Sequence, residues 1–562
     1  MSAIASFLKP DLKIRRRLRR GTGTRWLVAA GIVALLTVLP VLALVVIAIS
    51  SGASDSWAHL LSTVLPEATR VTILLMIGVA LVTGTVGVVT AWLTTSFDFP
   101  GRGFFCWALV LPLAVPTYIA AYCITEFFHF AGPVQTAIRD IFGFTSSRDY
   151  WFPDIRSLWG AVLILSSVLY PYVFLTVRLV FLMQGRKAAD VARTLGAGPV
   201  GAFLKVLLPM ARPAIAVGVA LALMETVNDI GGVEFLGVRT LTFSVYSTWL
   251  NRGDLAGAAQ LALAMLVVIV GLVVLERAAR RDQRYSLARG DDAVVGRLAL
   301  GRWACVPAFL VCALPIAFGF GIPAYILGDY ASRRLDQFAE PALWSALKNT
   351  VMVAGSAGLI TVAAAFMMAY GVRLTRSRRL LALVRLGSLG YAVPGTVLAI
   401  GVLIPLAAFD NALDAYLRAN FGISTGLLLS GSGAAIVYAC FVRFMAMGYG
   451  AMESGFAKIS PHLDHAARTL GHGPGNTLRQ VLLPLMTPAL LTGFMLVFVD
   501  SVKELSATIL LRPFDFETLA TFVYASASRS AFEDAAIAAL LIVLTGILPV
   551  IVLTRTILKQ AS

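Results

Sequence analysis

The sequence predicts an all-α membrane protein with twelve transmembrane helices, arranged as two parallel six-helix repeats. Three observations lead to this prediction: a composition suited to lipid, twelve apolar stretches, and one segment that occurs twice. Of the 562 residues, 58% are hydrophobic and only 14% are charged, and the mean hydropathy is +0.83. Because soluble proteins carry about 25% charged residues, this composition indicates a membrane protein.

The apolar stretches are divided evenly between the two halves of the chain. The first six lie near 26–50, 70–95, 104–127, 158–181, 209–229 and 256–276, and the second six near 303–326, 347–371, 381–408, 426–447, 485–503 and 534–555. Each is close to or above the roughly 20 residues that cross a bilayer. Because six is an even number, both halves begin on the same side of the membrane, which predicts a parallel repeat.

Arginine placement predicts which ends of the spans face the cytoplasm. Arginines are concentrated in 277–302 and 373–379, whereas 51–67 contains no lysine or arginine. Cytoplasmic loops carry the excess of basic residues, so both termini are expected in the cytoplasm. The expected division is a basic cytoplasmic N-terminus 1–25, a first domain 26–281, a cytoplasmic linker 282–298 and a second domain 299–562.

One segment occurs twice, once in each half of the chain. Asp190–Ile215 and His465–Leu490 share 13 of 26 positions without a gap, including the sequence ARTLG. A repeat with so long a period indicates two copies of a whole domain rather than a small repeating unit. Both copies lie between apolar stretches, and both are expected on the cytoplasmic side.

Each copy has the pattern of a short helix that ends abruptly. Gly196 and Gly471 suit the left-handed residue that closes a helix. Pro209 and Pro484 suit the first turn of the next span, where the missing N–H has no partner to lose. We therefore expect a short cytoplasmic helix, a turn and then a membrane helix in each half.

Carboxylates occur at repeat-equivalent positions one span after each repeated segment. Glu225 corresponds to Asp500, and Asp229 to Glu504, near the expected outer ends of the fifth and eleventh spans. Residues four apart share a helix face, and ionisable groups inside a membrane are functional candidates. The structural alternative is that Lys503 neutralises one carboxylate and that others cap helices.

Several classes of chemistry find no support in the sequence. No lysine follows a glycine, so no G-K-[ST] phosphate-binding loop exists. The five cysteines lie in apolar stretches without metal spacing, and no catalytic constellation is recognisable. The net charge of +16 comes from basic residues at span ends, which does not predict nucleic-acid binding. We expect a chain that is not itself an enzyme.

The repeated segments resemble the EAA loop of binding-protein-dependent ABC importer permeases, with the pattern E-A-A, three residues, G, nine residues and I/V-x-L-P. The glutamate position holds Asp190 in one copy and His465 in the other. In that family the loop docks into a cleft of a separate ATPase subunit. The resemblance implies coupling loops at 187–208 and 460–483, with contacts from Asp190, Ala192, Arg193, Gly196, Asp464, His465, Ala467, Arg468 and Gly471.

The segments that follow each loop by one span resemble those of the fused ferric-iron importer permeases. Glu225–Trp249 is similar to E-T-x-x-D-x-G-x-V-E-[YF], and Asp500–Tyr524 to L-K-E-L-x-A-T-x-L-L-R-P. Permeases for thiamine, polyamines and phosphonates share the loop but match these segments less well. The resemblance implies the type I ABC importer permease fold, with two fused halves in place of a permease dimer.

The resemblance also implies a function: a permease subunit of an ATP-driven importer in the inner membrane. It would translocate iron(III) delivered by an extracytoplasmic iron-binding protein. Two copies of a separate ABC ATPase would dock on the cytoplasmic loops and bind ATP and Mg²⁺, and this chain would bind no cofactor. Oxygen ligands suit hard cations, so the pathway residues would be Glu225, Asp229, Asp500 and Glu504; no metal site is assigned.

Two alternatives remain open from the sequence. One is the same architecture importing an organic solute such as thiamine, a polyamine or a phosphonate. The other is an ion-gradient-driven transporter, which would need ion sites in broken helices and would leave the duplicated loops unexplained.

Overall fold

Long helices make up most of the structure, a computed structural model that describes residues 12–50, 57–185, 191–192, 194–280, 298–375, 377–460 and 462–561. The first half contains α1 (Leu12–Ser50), α2 (Leu65–Ser96), α3 (Arg102–Ala108), α4 (Thr117–Phe128), α5 (Pro133–Phe142), α6 (Leu158–Val180), α7 (Leu208–Asn228), α8 (Gly231–Phe235), α9 (Leu241–Leu250) and α10 (Leu255–Arg280).

The second half repeats this order. It contains α11 (Arg302–Ile316), α12 (Ile322–Arg333), α13 (Pro341–Thr375), α14 (Arg378–Gly387), α15 (Gly395–Phe421), α16 (Ala434–Lys458), α17 (His462–Thr469), α18 (Leu483–Val502), α19 (Thr508–Leu511), α20 (Leu519–Ser528) and α21 (Ala536–Ala561). Two short parallel strands, β1 (Phe97–Asp98) and β2 (Leu298–Ala299), join the end of α2 to the segment after the linker.

The predicted fold class is confirmed. Within the described residues, eleven helices are long and apolar enough to cross a membrane, and one bent pair, Arg102–Ala114 with Thr117–Phe142, gives a twelfth if it counts as one span. The bend in that pair is 99°. The predicted stretch 104–127 therefore forms a bent pair, and the predicted stretch 381–408 is divided between α14 and α15.

Both breaks follow from a proline inside the apolar stretch. Val115 has ψ 119° and Val393 has ψ 123°, so each adopts the extended backbone that the residue before a proline prefers. Pro116 and Pro394, which follow them, then begin new helices. The two breaks lie in matching spans of the repeat, so both halves carry the same interruption.

Close glycine contacts establish the direction of the helices. Gly78 lies against Val162, and a Cβ at Gly87 would lie 2.6 Å from the Cβ of Val173, so α2 and α6 run parallel. Two spans with the same direction require a crossing between them, which the broken pair α3–α4 supplies.

In the second half α13 and α16 are also parallel, since Gly448 of α16 lies against Thr361 of α13 and the rings of Tyr370 and Phe456 stack at 6.3 Å. The β1–β2 pair sets the end of α2 beside the start of α11, and α11–α12 crosses to the start of α13, so both repeated loops lie at the same end of the bundle. We call this the loop end and the opposite one the distal end.

One hydrogen bond is reproduced in both halves. The Leu241 N–H donates to the Thr72 hydroxyl over 2.9 Å, and the Leu519 N–H donates to the Thr350 hydroxyl over 2.8 Å. Donor and acceptor in the second half are the repeat equivalents of those in the first. The halves therefore share tertiary contacts as well as sequence.

The halves exchange their first helices. In α1 the Pro40 carbonyl lies so close to Gly401 of α15 that an added Cβ would be 2.1 Å away, and the Trp26 ring meets Tyr370 edge-on at 5.3 Å. Conversely, Gly319 in the turn between α11 and α12 lies against the Ser167 carbonyl of α6. The first helix of each half thus packs against the other half. This exchange brings α7 and α18 together at the interface.

Candidate functional site

Both repeated loops end a short helix as the sequence predicted. Gly196 and Gly471 have φ of 87° and 83°. The Ala197 N–H donates to the Ala192 carbonyl over 3.0 Å, and the His472 N–H donates to the Ala467 carbonyl over 3.0 Å. This six-to-one bond around a left-handed glycine is the Schellman ending of a helix, so the left-handed caps are confirmed.

The next span begins earlier than predicted. The helix starts at Pro199, and a wide π-turn over Phe203–Leu207 lets the Leu208 N–H donate to the Phe203 carbonyl. Leu478–Leu482 forms the same turn in the second half. Pro209 and Pro484 lie in the first turn of α7 and α18, as predicted, and each follows directly on this wide turn, because a proline cannot donate to the carbonyl four residues earlier.

The most exposed large hydrophobic residue in the described part of each loop is a leucine that the sequence analysis did not single out. Leu195 is 83% exposed and Leu470, its repeat equivalent, is 78% exposed. Ala192 and Ala467 are buried in the chain's own packing. Both leucines belong to the ARTLG sequence shared by the two copies, and that identity is the signal that could have identified them.

The second loop is fixed to its own half by an arginine at the end of α13. Arg373 forms an ion pair with Asp464 over 2.9 Å and donates to the carbonyls of Phe456, Ile459 and Ser460 over 3.0–3.2 Å. Asp464 is therefore held inside the chain, although the sequence placed it among the coupling residues. Of the other coupling residues, Asp190 and Arg193 lie outside the described residues, as do the side chains of His465 and Arg468.

The four predicted carboxylates all line one cavity between the halves. This cavity has a volume of about 90 Å³ and is lined by Glu225, Asp229, Asp500, Lys503, Glu504 and Arg443, among others. Water molecules need only about 10–15 Å³ of such volume each, so the cavity can hold several of them or a small hydrated ion.

The cavity lies at the ends of α7 and α18, as the sequence predicted, and below the distal end of the bundle. The Thr242 hydroxyl donates to the Val227 carbonyl and lies 3.9 Å from the Met265 sulfur, which sets these residues at one level. Met265 follows the distal start of α10 at Leu255 by ten residues, or about 15 Å at 1.5 Å per residue. The carboxylates therefore lie about 15 Å below the distal start of α10, because α8 and α9 carry the chain on to the distal end.

Asp229 and Glu504 are buried, and in its own half each accepts hydrogen bonds from the backbone that follows it. The Val233 N–H donates to Asp229 over 2.9 Å, and the Thr117 hydroxyl also donates to it. Glu504 accepts from the backbone N–H groups of Ala507 and Thr508 over 2.9 and 3.0 Å. Each carboxylate thus caps the short helix that follows it, in line with the structural alternative.

Asp500 and Glu225 are more accessible. Lys503 forms an ion pair with Asp500 over 2.9 Å, as the structural alternative foresaw. Glu225 accepts from the Tyr391 hydroxyl over 3.2 Å, and Arg443 lies 3.8 Å from it. The Glu225 and Asp500 side chains are each 27% exposed, compared with 1% for Glu504, so these two carboxylates are the more accessible from the cavity.

The cavity is acidic and its charges are unequally distributed. Four carboxylates face two cations, so the lining has a formal excess of two negative charges. Both cations, Lys503 and Arg443, come from the second half, where the first half has Asn228 and Val168 at the equivalent positions. Within the described part of the chain, no histidine, cysteine, aspartate or glutamate group is arranged to hold a metal ion. The excess of negative charge in the lining favours a cation over an anion.

A layer of hydrogen bonds between the halves adjoins the cavity. The Gly395 N–H donates to the Asn228 side chain over 2.8 Å, and the Ser506 hydroxyl donates to the Asn228 carbonyl over 2.6 Å. The hydroxyls of Tyr246 and Tyr524, which are repeat equivalents, lie 3.1 Å apart. Because equivalent residues meet where a twofold axis passes, this layer marks the axis that relates the halves.

Two parallel membrane repeats, with a polar cavity between them and matched loops at one end, define an integral membrane transport protein. The chain belongs to the family described as binding-protein-dependent transport system inner membrane component, which matches residues 83–285 and 360–560. It is thus a multi-pass permease component of a binding-protein-dependent transport system, and the permease is not the catalytic part of such a system.

Similarity to individual permeases extends over nearly the whole chain in one case. The Fe(3+)-transport system permease protein FbpB 2 of Haemophilus influenzae is 24% identical over 92% of this chain and 95% of its own length. The molybdenum transport system permease protein ModB of Escherichia coli is 28% identical over 34% of this chain and 84% of its own length. The sulfate transport system permease protein CysT of Salmonella typhimurium is 28% identical over 36% of this chain and 70% of its own length.

Proposed function

We propose that this chain imports iron(III) across the inner membrane, in a complex driven by a separate ATPase. The observation that carries the proposal is the acidic cavity between the halves, where four carboxylates outnumber two cations. A site with this charge attracts cations and opposes anions such as sulfate, for which a permease of related sequence is named. The end-to-end similarity to a ferric permease supports the same choice of substrate.

The repeated loops are the proposed docking sites for two ATPase copies. They lie at one end of the bundle, have the same capped geometry and each present one exposed leucine, Leu195 or Leu470. ATP and Mg²⁺ are bound by the ATPase subunits and not by this chain. An extracytoplasmic iron-binding protein delivers the substrate at the distal end, and both termini lie in the cytoplasm.

Iron(III) crosses as a transient occupant of the cavity. Intramembrane carboxylates compensate the charge of a cation that leaves water, and the lack of a chelating cluster among the described residues allows its release. The cross-half layer around Asn228 must separate for the cation to pass. ATP-driven movement of the two loops, transmitted through α7 and α18, is the proposed cause of that separation.

Uptake by reconstituted vesicles tests this proposal. The chain is assembled with its ATPase, ATP is enclosed on the loop side, and binding proteins loaded with different solutes are added outside. We expect accumulation of radiolabelled iron(III) that depends on ATP and is unaffected by excess sulfate or molybdate. Uptake of thiamine, a polyamine or a phosphonate in place of iron would contradict the choice of substrate, and uptake driven by an ion gradient without ATP would contradict the mechanism.

A further inference from the structure

Arg443 is a buried arginine in the cavity wall for which the first half has no counterpart. It lies on α16, is 7% exposed, and corresponds to Val168 of α6, which lines the same cavity. A buried arginine normally requires a paired charge, and Arg443 has two candidates. Its Nη1 lies 2.9 Å from Glu504 Oε1, and its Nη2 lies 3.8 Å from Glu225 Oε2.

The two carboxylates hold Arg443 very differently. Glu504 belongs to the same half and is fixed by backbone N–H donors and by the Thr508 hydroxyl, which donates over 2.7 Å. Glu225 belongs to the other half, and its ion-pair distance is about 1 Å longer. The Tyr391 hydroxyl, which donates to Glu225 over 3.2 Å, also comes from the second half. The Arg443–Glu504 pair is therefore the permanent one, and the Arg443–Glu225 pair is an exchangeable tie across the interface.

We propose that Arg443 is a tethered counter-ion, which compensates Glu225 while the cavity is empty and is displaced from it by the entering cation. This proposal rests on the proposed function in one respect, namely that the solute is a cation. Displacement leaves Arg443 paired with Glu504, so no buried charge is left alone, an arrangement that would be strongly unfavourable. It also breaks an ionic tie between the halves, so that the tie opens when the cavity is occupied.

This exchange would make the presence of a cation a condition for separation of the halves. With the cavity empty, the tie adds to the hydrogen-bonded layer at Asn228 and holds the halves together. An anion could not take the place of Arg443 beside Glu225, since it would bring a like charge to the carboxylate. Arg443, present in one half only, thus holds the halves together while the cavity is empty and selects cations over anions.

The test uses vesicles that contain the complete complex of the chain with its ATPase. ATP hydrolysis is measured without substrate and then with the iron-loaded binding protein, for wild type, Arg443→Gln, Glu225→Gln and the double variant. We expect each single variant to raise substrate-free hydrolysis by about fivefold or more, the lower end of typical coupling between sites. The double variant should hydrolyse ATP no faster than either single variant, because both substitutions remove the same Arg443–Glu225 ion pair.

Arg333→Gln is the matched control. Arg333 forms an ion pair with Asp329 over 2.7 Å, is largely exposed and does not line the cavity. Its substitution should leave substrate-free hydrolysis at the wild-type rate.

The outcomes separate this inference from the choice of substrate. One outcome is that the iron-loaded protein stimulates ATP hydrolysis by the wild type, while Glu225→Gln hydrolyses ATP at the resting wild-type rate. The counter-ion proposal is then wrong, and the proposal that iron(III) is the substrate is retained. Another outcome is that Glu225→Gln and Arg443→Gln both raise resting hydrolysis, while the iron-loaded protein does not stimulate the wild type. The Arg443–Glu225 ion pair then has the proposed role, and iron(III) is not the substrate. If Arg443→Gln does not accumulate, Glu225→Gln decides alone, since it leaves the Arg443–Glu504 pair intact.

Discussion

Replacement of Glu504 by glutamine should destabilise the protein far more than the same replacement at Glu225. Glu504 Oε1 accepts from Arg443 and the Ala507 N–H, and Oε2 accepts from the Thr508 N–H and hydroxyl. Whichever way a glutamine amide is turned, its NH₂ group meets a backbone N–H donor. The substitution also leaves the guanidinium without its main partner.

The magnitude follows from burial. Removal of one partner from a buried ion pair costs about 3–5 kcal/mol, and the Glu504 side chain is 1% exposed. Glu225, at 27% exposure and 3.8 Å from Arg443, should lose less than about 1 kcal/mol, as is typical of accessible pairs. We therefore expect Glu504→Gln to lower the yield of folded protein and its thermal denaturation temperature, and Glu225→Gln to leave both nearly unchanged.

The assay is size-exclusion chromatography of detergent-extracted protein after heating, with equal expression verified by immunoblot. Glu67→Gln, at an exposed position of α2, controls for loss of any carboxylate. A Glu504→Gln variant with wild-type yield and heat resistance would refute the reasoning, because the four contacts to this carboxylate would then contribute no net stability.

Three further predictions concern the loops and the exchanged helices. Gly196→Arg or Gly471→Arg would force a side chain into a left-handed backbone, which costs about 1–2 kcal/mol; we expect normal permease levels but no stimulation of the ATPase. Arg373→Gln removes the ion pair and backbone contacts that fix the second loop, so stimulation should fall with assembly intact, as judged by co-purification. Gly401→Leu has no room beside the Pro40 carbonyl, 2.1 Å from an added Cβ, and should sharply reduce the yield of folded protein in chromatography.

Matched variants distinguish these effects from general damage. Arg378→Gln replaces an exposed arginine close to Arg373 and should leave ATPase stimulation unchanged. Gly328→Leu introduces the same bulk where no atom lies within 4 Å and should be tolerated. Normal transport by the double glycine-to-arginine variant would contradict the docking role of the loops, and a stable Gly401→Leu protein would contradict the close packing of α1 on α15.

Repetition made much of this fold predictable from the sequence. Twelve apolar stretches and one segment present in both halves are global features that chain length and periodicity reveal directly. The left-handed caps at Gly196 and Gly471 were predictable because a local pattern sets them. The four carboxylates were identified in the same way, by their equivalent positions in the two halves.

Features set by tertiary packing were not predictable. A proline in an apolar stretch can bend a span or break it, and only the neighbouring helices decide which of the two occurs at Pro116 and Pro394. The distance of the carboxylates from the distal end of the bundle depends on whether the chain after Asp229 continues as a loop or as a helix. The carboxylates were identified because both halves carry an acidic residue at the equivalent position. Arg443 was missed because the first half has Val168, not a basic residue, at the position equivalent to it.

The central claim is that a cation crosses between the two halves, through the cavity beside Glu225. The most direct measurement is ATP-driven uptake of radiolabelled iron(III) per folded complex in vesicles, compared between wild type, Glu225→Gln and the control Glu67→Gln. We predict that Glu225→Gln reduces uptake at least tenfold while folded protein and ATPase docking are retained, and that Glu67→Gln matches wild type. Wild-type uptake by a correctly assembled Glu225→Gln complex would show that the cation takes another route.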